Sequence, residues 1–307
     1  MSYQCLYFGI VLGYEGDNTR RPAVAGQFYP ARKEALMHLI KESFIGELGP
    51  GEVPKVPEKK TRKIIGAVVP HAGYVYSGQV AAHTYSEIVK DGYPATFVII
   101  GPNHTGLGTL ISVSDEDFET PLGIVKNDTK LTKAVWKGII DKDRESHEYE
   151  HSLEVQLPFL QYFGIEFKLT PIVMGGQSYE SAREVGEIVS DAIKETGTDA
   201  VIIASSDLTH AGLRYGQSPP KGKTVKEFAN MQDEKAMAAI EKFDAKALIE
   251  TVEDNNITMC GYGPVAAMLI ACKRLGASNV KRLKYATSND IEPGPMCVGY
   301  SAFIVTK

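Results

Sequence analysis

Three near-continuous apolar runs, "IIGAVV" (64–69), "TFVII" (96–100) and "AVIIA" (200–204), constrain the fold of this chain more than any other feature. A strand with one wet face alternates apolar and polar residues, whereas an unbroken apolar run needs cover on both faces, as in parallel sheets. Helical patterns separate the runs. Around 79–89, Ala81, Ala82, Tyr85 and Ile88 form one stripe, and 181–195, 225–241, 246–253 and 264–274 also read as helices. Further strands are expected at 167–173, 282–286 and 299–305, a hairpin over 110–126, and helices at 131–140 and from "EHSLE" to about 163. The segment 49–63, rich in Pro, Gly and Lys, reads as an exposed loop. Strands alternating with helices predict a single α/β domain with a mostly parallel central sheet covered by helices on both faces. A length of 307 residues suits one such domain.

The charge balance removes one class of partner. With 33 basic against 38 acidic residues and a net charge of −5, no basic field invites nucleic acid. Cys5, Cys260, Cys272 and Cys297 are scattered without a C-x-x-C pair, which fits a reducing cytoplasm better than a disulfide framework. The apolar stretch near the N-terminus is too short to span a bilayer, and the first basic residue is Arg20, so no signal peptide or membrane partner is expected. Residues 1–20 are taken as an N-terminal extension and 21–307 as the domain.

The ends of the apolar runs carry the chemistry. His71 follows the first, His104 the second, and Asp207 and His210 the third. Open α/β sheets bind ligands beyond the carboxyl ends of their strands. Neutral imidazole is the commonest metal ligand, and two His with an anionic group form open non-haem iron sites. One such histidine is better explained by a backbone carbonyl partner; three in equivalent places favour a site. In "YEHSLEVQLPFL", His151 and Glu154 at i and i+3 share a helix face, either lining the pocket or forming a surface ion pair, and Pro158 limits that helix. Cys260 precedes an apolar helix, where the macrodipole favours a thiolate; a buried apolar role is the competing reading. Cys260, His210 and Asp207 could also form a Cys-His-Asp hydrolase. His38 and His83 read as structural.

The stretches "RPAVAGQFYP" (21–30), "PHAGYVYSG" (70–78), "GPNHTG" (101–106), "EHSLEVQLPFL" (150–160), "SSDLTHAG" (205–212) and "CGYGPV" (260–265) together resemble the Memo family. The resemblance implies a fold similar to class III extradiol dioxygenases, which hold Fe(II) on three ligands beside an acid/base histidine. It implies metal ligands His71, His104 and Cys260, with His210 as acid/base, Asp207 beside it and His151 touching the bound molecule. Fe(II) is the expected cofactor. A cysteine in place of a carboxylate also suits Cu or Zn and is itself oxidisable. The expected function is a metal-dependent redox or dioxygenase-type enzyme. The alternative is a non-catalytic signalling module that binds a small molecule or peptide in the same pocket. The oligomeric state is left open.

Overall fold

Residues 18–307 are described in the computed structural model of the chain. The three apolar runs become neighbouring parallel strands: β2 (Ile64–Val69), β3 (Thr96–Pro102) and β9 (Ala200–Ser205), in the order β3-β9-β2. Alternate residues face opposite layers. Val68, Val98, Ile202 and Ala204 enter one apolar cluster, whereas Ala67, Val69, Phe97, Ile99, Val201 and Ile203 enter the other. The first cluster is covered by helices Tyr179–Thr196 and Tyr262–Arg274, the second by Lys33–Ile45 and Tyr74–Asp91. Burying both faces is what the unbroken apolar runs require.

Gly66 fixes the tightness of one layer. A Cβ there would lie 2.4 Å from Cys272 Sγ and 2.8 Å from Met268 Sδ, so the glycine lets helix Tyr262–Arg274 press onto β2. That helix follows Cys260 directly, so its seating places the thiol.

The sheet extends to β6 (Gly123–Asn127) and β8 (Lys168–Met174) on the β3 side, both parallel to the core. Its flanks are antiparallel, so the whole is a mixed sheet with a parallel centre. β12 (Cys297–Thr306) runs antiparallel to β2 and pairs with β11 (Asn279–Thr287) and the short β10 (His210–Ala211). β4 (Ile111–Val113) pairs with β8 and with β7 (Asp141–Lys142), and β5 (Asp117–Thr120) pairs with β6 and with β1 (Thr19–Arg20). The hairpin expected over 110–126 is therefore shorter: Asp117–Thr120 turns into Gly123–Asn127, and β4 belongs elsewhere.

The helix expected over 131–140 ends at Val135. The one expected to run to 163 is three short turns, Glu145–Glu148, His151–Glu154 and Leu157–Gln161, with Pro158 in the first turn of the last. Segment 49–63 is without helix or strand, as expected. The N-terminal stretch through residue 17, with Cys5, lies outside the described residues; Thr19 and Arg20 are buried and joined to β5. Among the described residues, no helix is long and apolar enough to cross a membrane.

Candidate metal centre

His71, His104 and Asp207 each sit two residues beyond the last residue of adjacent strands, Val69, Pro102 and Ser205. Equal offsets on parallel neighbours bring the three side chains to one place. Cys260 arrives from the turn before helix Tyr262–Arg274, and His151 from the short turn that packs on β3. That packing depends on Gly101, where a Cβ would lie 2.4 Å from Ser152 Oγ and 2.9 Å from Leu153 Cδ2. His210 arrives on β10. A cavity of about 680 Å³ opens over them, lined by His71, His104, His151, Asp207 and His210 together with Phe28, Tyr76, Tyr215 and Tyr300.

Hydrogen bonds settle the tautomer of His71. Gln156 Nε2 donates to Pro70 O at 3.1 Å and to Ser205 Oγ at 2.8 Å. Ser205 spends its only proton on Ser152 O at 2.6 Å, so its contact with His71 Nδ1 at 2.9 Å must be a donation from the imidazole. Nε2 is then the bare nitrogen. Cys260 Sγ lies 3.1 Å from it and accepts from Asp207 N at 3.3 Å, with Asp207 O at 3.7 Å as a second acceptor for the thiol proton. Burial pushes the His71 imidazole well below its ordinary value, and His104, His151 and His210 push the same way. His71 is held neutral, the state a ligand needs.

His104 is set by Glu150, a carboxylate only 1% exposed. Oε1 accepts from His104 Nδ1 at 3.0 Å and from Ser152 N at 2.8 Å, and Oε2 accepts from His104 N at 2.6 Å. Burial alone would raise this carboxyl; the hydrogen bond and charge of His104, joined by His151 and Ser152 N, outweigh it and hold it down to about 2. An ionised carboxylate on Nδ1 leaves Nε2 of His104 as the available donor. His151 stacks on His104 with ring centres 4.5 Å apart, and burial lowers it to about 4 despite the Glu150 charge.

Asp207 accepts from His71 N at 2.8 Å and Ala72 N at 3.3 Å through Oδ1. Burial raises its carboxyl, with His210 and those backbone donors opposing. The Cys260 thiol is also pushed up, first by burial and then by the Asp207 charge. This reverses the expectation of a macrodipole-activated thiolate. Burial holds the proton on sulfur here, and a thiolate needs a cation beside it.

The donors fall into two groups whose ligand atoms all lie within 4.8 Å of one another: His71, His104 and His151, and His71, Asp207 and Cys260. The trio His71, His104 and Cys260 is thus divided between them, with His71 common to both. Since Nδ1 of His71 is committed to Ser205, one ion at a time can use this residue. Its Nε2 and the Cys260 sulfur, 3.1 Å apart, can both reach one ion at bond lengths of about 2.0 and 2.3 Å. The donor chemistry fits a divalent or soft transition metal.

A family model described as Memo-like protein matches residues 20–304. The chain belongs to that family. A MEMO1 family protein from Methanothermobacter thermautotrophicus is 46% identical, covering 89% of this chain and 94% of its own. MEMO1 family proteins of Methanopyrus kandleri and Methanocaldococcus jannaschii are 43% and 44% identical, each covering 94% of this chain and 99% of theirs. Among solved structures, an uncharacterized protein from Escherichia coli K12 shares the fold at a TM-score of 0.50 and 13% identity, over 80% of this chain and all of its own.

His210 belongs to neither ligand group in this Memo-like chain. Its Nδ1 donates to Leu208 O at 3.0 Å and Thr258 O at 3.1 Å, which leaves Nε2 as its acceptor, and the ring lines the cavity. Glu154 does not join His151. It is fully buried against Arg20 at 2.5 Å and accepts from Ala23 N, Val24 N and Tyr29 OH, fastening the chain's first described residues to the body. His38 and His83 lie outside the site, on helices Lys33–Ile45 and Tyr74–Asp91, and Cys272 and Cys297 are buried. Sequence reasoning missed Glu150, Gln156 and Ser205, the residues that aim the ligands. Their signal was present: a carboxylate directly before His151, and polar side chains inside apolar surroundings.

Proposed function

We propose that this Memo-like protein is a metal-dependent redox enzyme of the dioxygenase type. The supporting observation is the pairing of His71 and His104, each with Nδ1 held by a protein acceptor, at the floor of a substrate-sized cavity, with Cys260 Sγ 3.1 Å from His71 Nε2. His71, His104 and Cys260 would hold the ion, His71 joining the two donor groups, with Fe(II) as the native metal and Cu or Zn as competitors. It would supply Lewis acidity and, as iron, access to oxygen chemistry.

The chain's own residues do the rest. Glu150 and Ser205 orient the two imidazoles. Asp207, anchored on His71 N, holds the turn that carries His210. His210, its Nδ1 committed to backbone carbonyls, would take a proton from a bound hydroxyl at Nε2 and return it later. His151 closes the side of the cavity against Phe28, with ring centres 4.6 Å apart, and contacts the bound molecule. Free thiols at Cys260, Cys272 and Cys297 suit a reducing, cytoplasmic setting. The cysteine hydrolase reading loses support, because burial and Asp207 both disfavour the thiolate.

The test is oxygen uptake by iron-loaded protein with catechol-type substrates. Uptake with ring cleavage, lost in His210→Gln while iron remains bound, is the expected result. No uptake by fully loaded protein, with a small molecule or peptide still bound in the cavity, would favour the signalling-module alternative.

A further inference from the structure

The cavity is asymmetric in charge. Its floor holds the histidines and Asp207, while its mouth is formed by Tyr76, Tyr215 and the segment from Glu292 to Met296. Among the described residues lining it there is no lysine or arginine. Glu292 is exposed, and its carboxylate accepts only from Tyr76 OH, at 3.5 Å, among the described residues; none of their ion pairs uses it. Tyr76 and Tyr215 are 39% and 41% exposed, so both rings present surface at the rim. Asp290, two residues earlier, is by contrast paired, with Lys226 at 2.7 Å.

An unpaired carboxylate beside tyrosine rings is a recognition element for organic cations, through Coulomb attraction and the negative faces of the rings. The mouth has no arginine or lysine among its described lining residues to take a carboxylate or phosphate end. We propose that this cavity selects aromatic ligands whose far end is an ammonium group, held at Glu292 between Tyr76 and Tyr215, and rejects those ending in a carboxylate. The inference rests on the reading above for the floor of the site, where the ring's hydroxyl groups lie, and adds the chemistry of the opposite end.

Three matched catechols test it: dopamine, 4-ethylcatechol and 3-(3,4-dihydroxyphenyl)propionate, which differ only in an ammonium, neutral or carboxylate end. Their affinities are measured by titration calorimetry on the full-length protein, with metal content determined on the same preparation. Binding is expected in the order ammonium, neutral, carboxylate, with roughly three- to tenfold between steps, as suits a solvent-exposed ion pair with ring contacts. Glu292→Gln should remove the ammonium advantage and Glu292→Lys should invert the order, while melting temperature stays put because the side chain is exposed. Higher salt should compress the spread. Equal affinities, preference for the carboxylate, an order that survives Glu292→Lys, or no binding of any probe would each overturn the proposal. Metal content decides the floor of the site separately, so a metal-free protein that still prefers dopamine would sink the enzyme reading and keep this one.

Discussion

Replacing Glu150 by Gln should weaken metal binding as well as the fold, by comparable free energies. Glu150 takes three donors on two oxygens: His104 Nδ1 and Ser152 N on one, His104 N on the other. Gln keeps one oxygen. Turned to serve the two donors, it sets its own NH2 against His104 N–H, so one charge-assisted bond is lost and a buried donor is orphaned, costing about 1–3 kcal/mol. The His104 tautomer survives, because an amide oxygen still accepts from Nδ1. What goes is the negative charge behind the imidazole, and loss of such a partner lowers metal affinity by roughly 10- to 100-fold. The assay is competition with a chelator for Zn(II) or Fe(II), beside urea unfolding of the metal-free protein. Wild-type affinity in Glu150→Gln, with only the stability loss, would show that Glu150 holds the loop and does nothing for the ligand.

Other residues make separate predictions. Arg20→Ala strips the partner from the buried Glu154 and should cost about 3–5 kcal/mol in urea unfolding, and Arg20→Met with Glu154→Leu should recover part of it; a loss under 1 kcal/mol for the single variant would mean that the pair is solvated. Asp233, buried where it accepts from Thr209 N and Tyr285 OH, is pushed up to about 7, first by burial. An acid whose folded value exceeds its unfolded one of about 3.9 favours folding when protonated. It therefore subtracts stability as pH rises from about 4 to 7, by on the order of 4 kcal/mol in full. Asp233→Asn should flatten that part of the pH–stability curve, and an unchanged slope would exclude Asp233 as its source. Gly101→Ala should push Ser152 and Leu153 away from β3 and lower metal affinity through Glu150 and His104; melting and metal titration read the two effects, and wild-type affinity would show that the segment adjusts freely.

The parallel heart of the sheet was legible because "IIGAVV", "TFVII" and "AVIIA" have no polar face, and only a doubly covered strand accommodates that. The flanks were less legible. Ile111–Val113 is too short to declare its partner, and β12 looks like any buried strand whether it runs parallel or antiparallel. The short turns from 145 to 161 misled for another reason: helical spacing persists across them, while Glu150 and Pro158 break the run. Three site residues were visible as polar groups at strand ends. The aiming shell was not, since Ser205, Gln156 and Glu150 gain meaning only when three separate segments meet. Glu154 shows the reverse error. It lies on the turn that carries His151, yet tertiary structure turns it to Arg20, 134 residues earlier.

The central claim is a metal ion held through His71 and Cys260, and elemental analysis of anaerobically purified protein tests it most directly. Wild type, His71→Ala and Cys260→Ser would be purified together, each first shown to melt cooperatively. The account predicts about one equivalent of iron, copper or zinc in the wild type, and none in either variant. One equivalent retained in both variants, or a wild type that neither carries a metal nor takes one up, would contradict it.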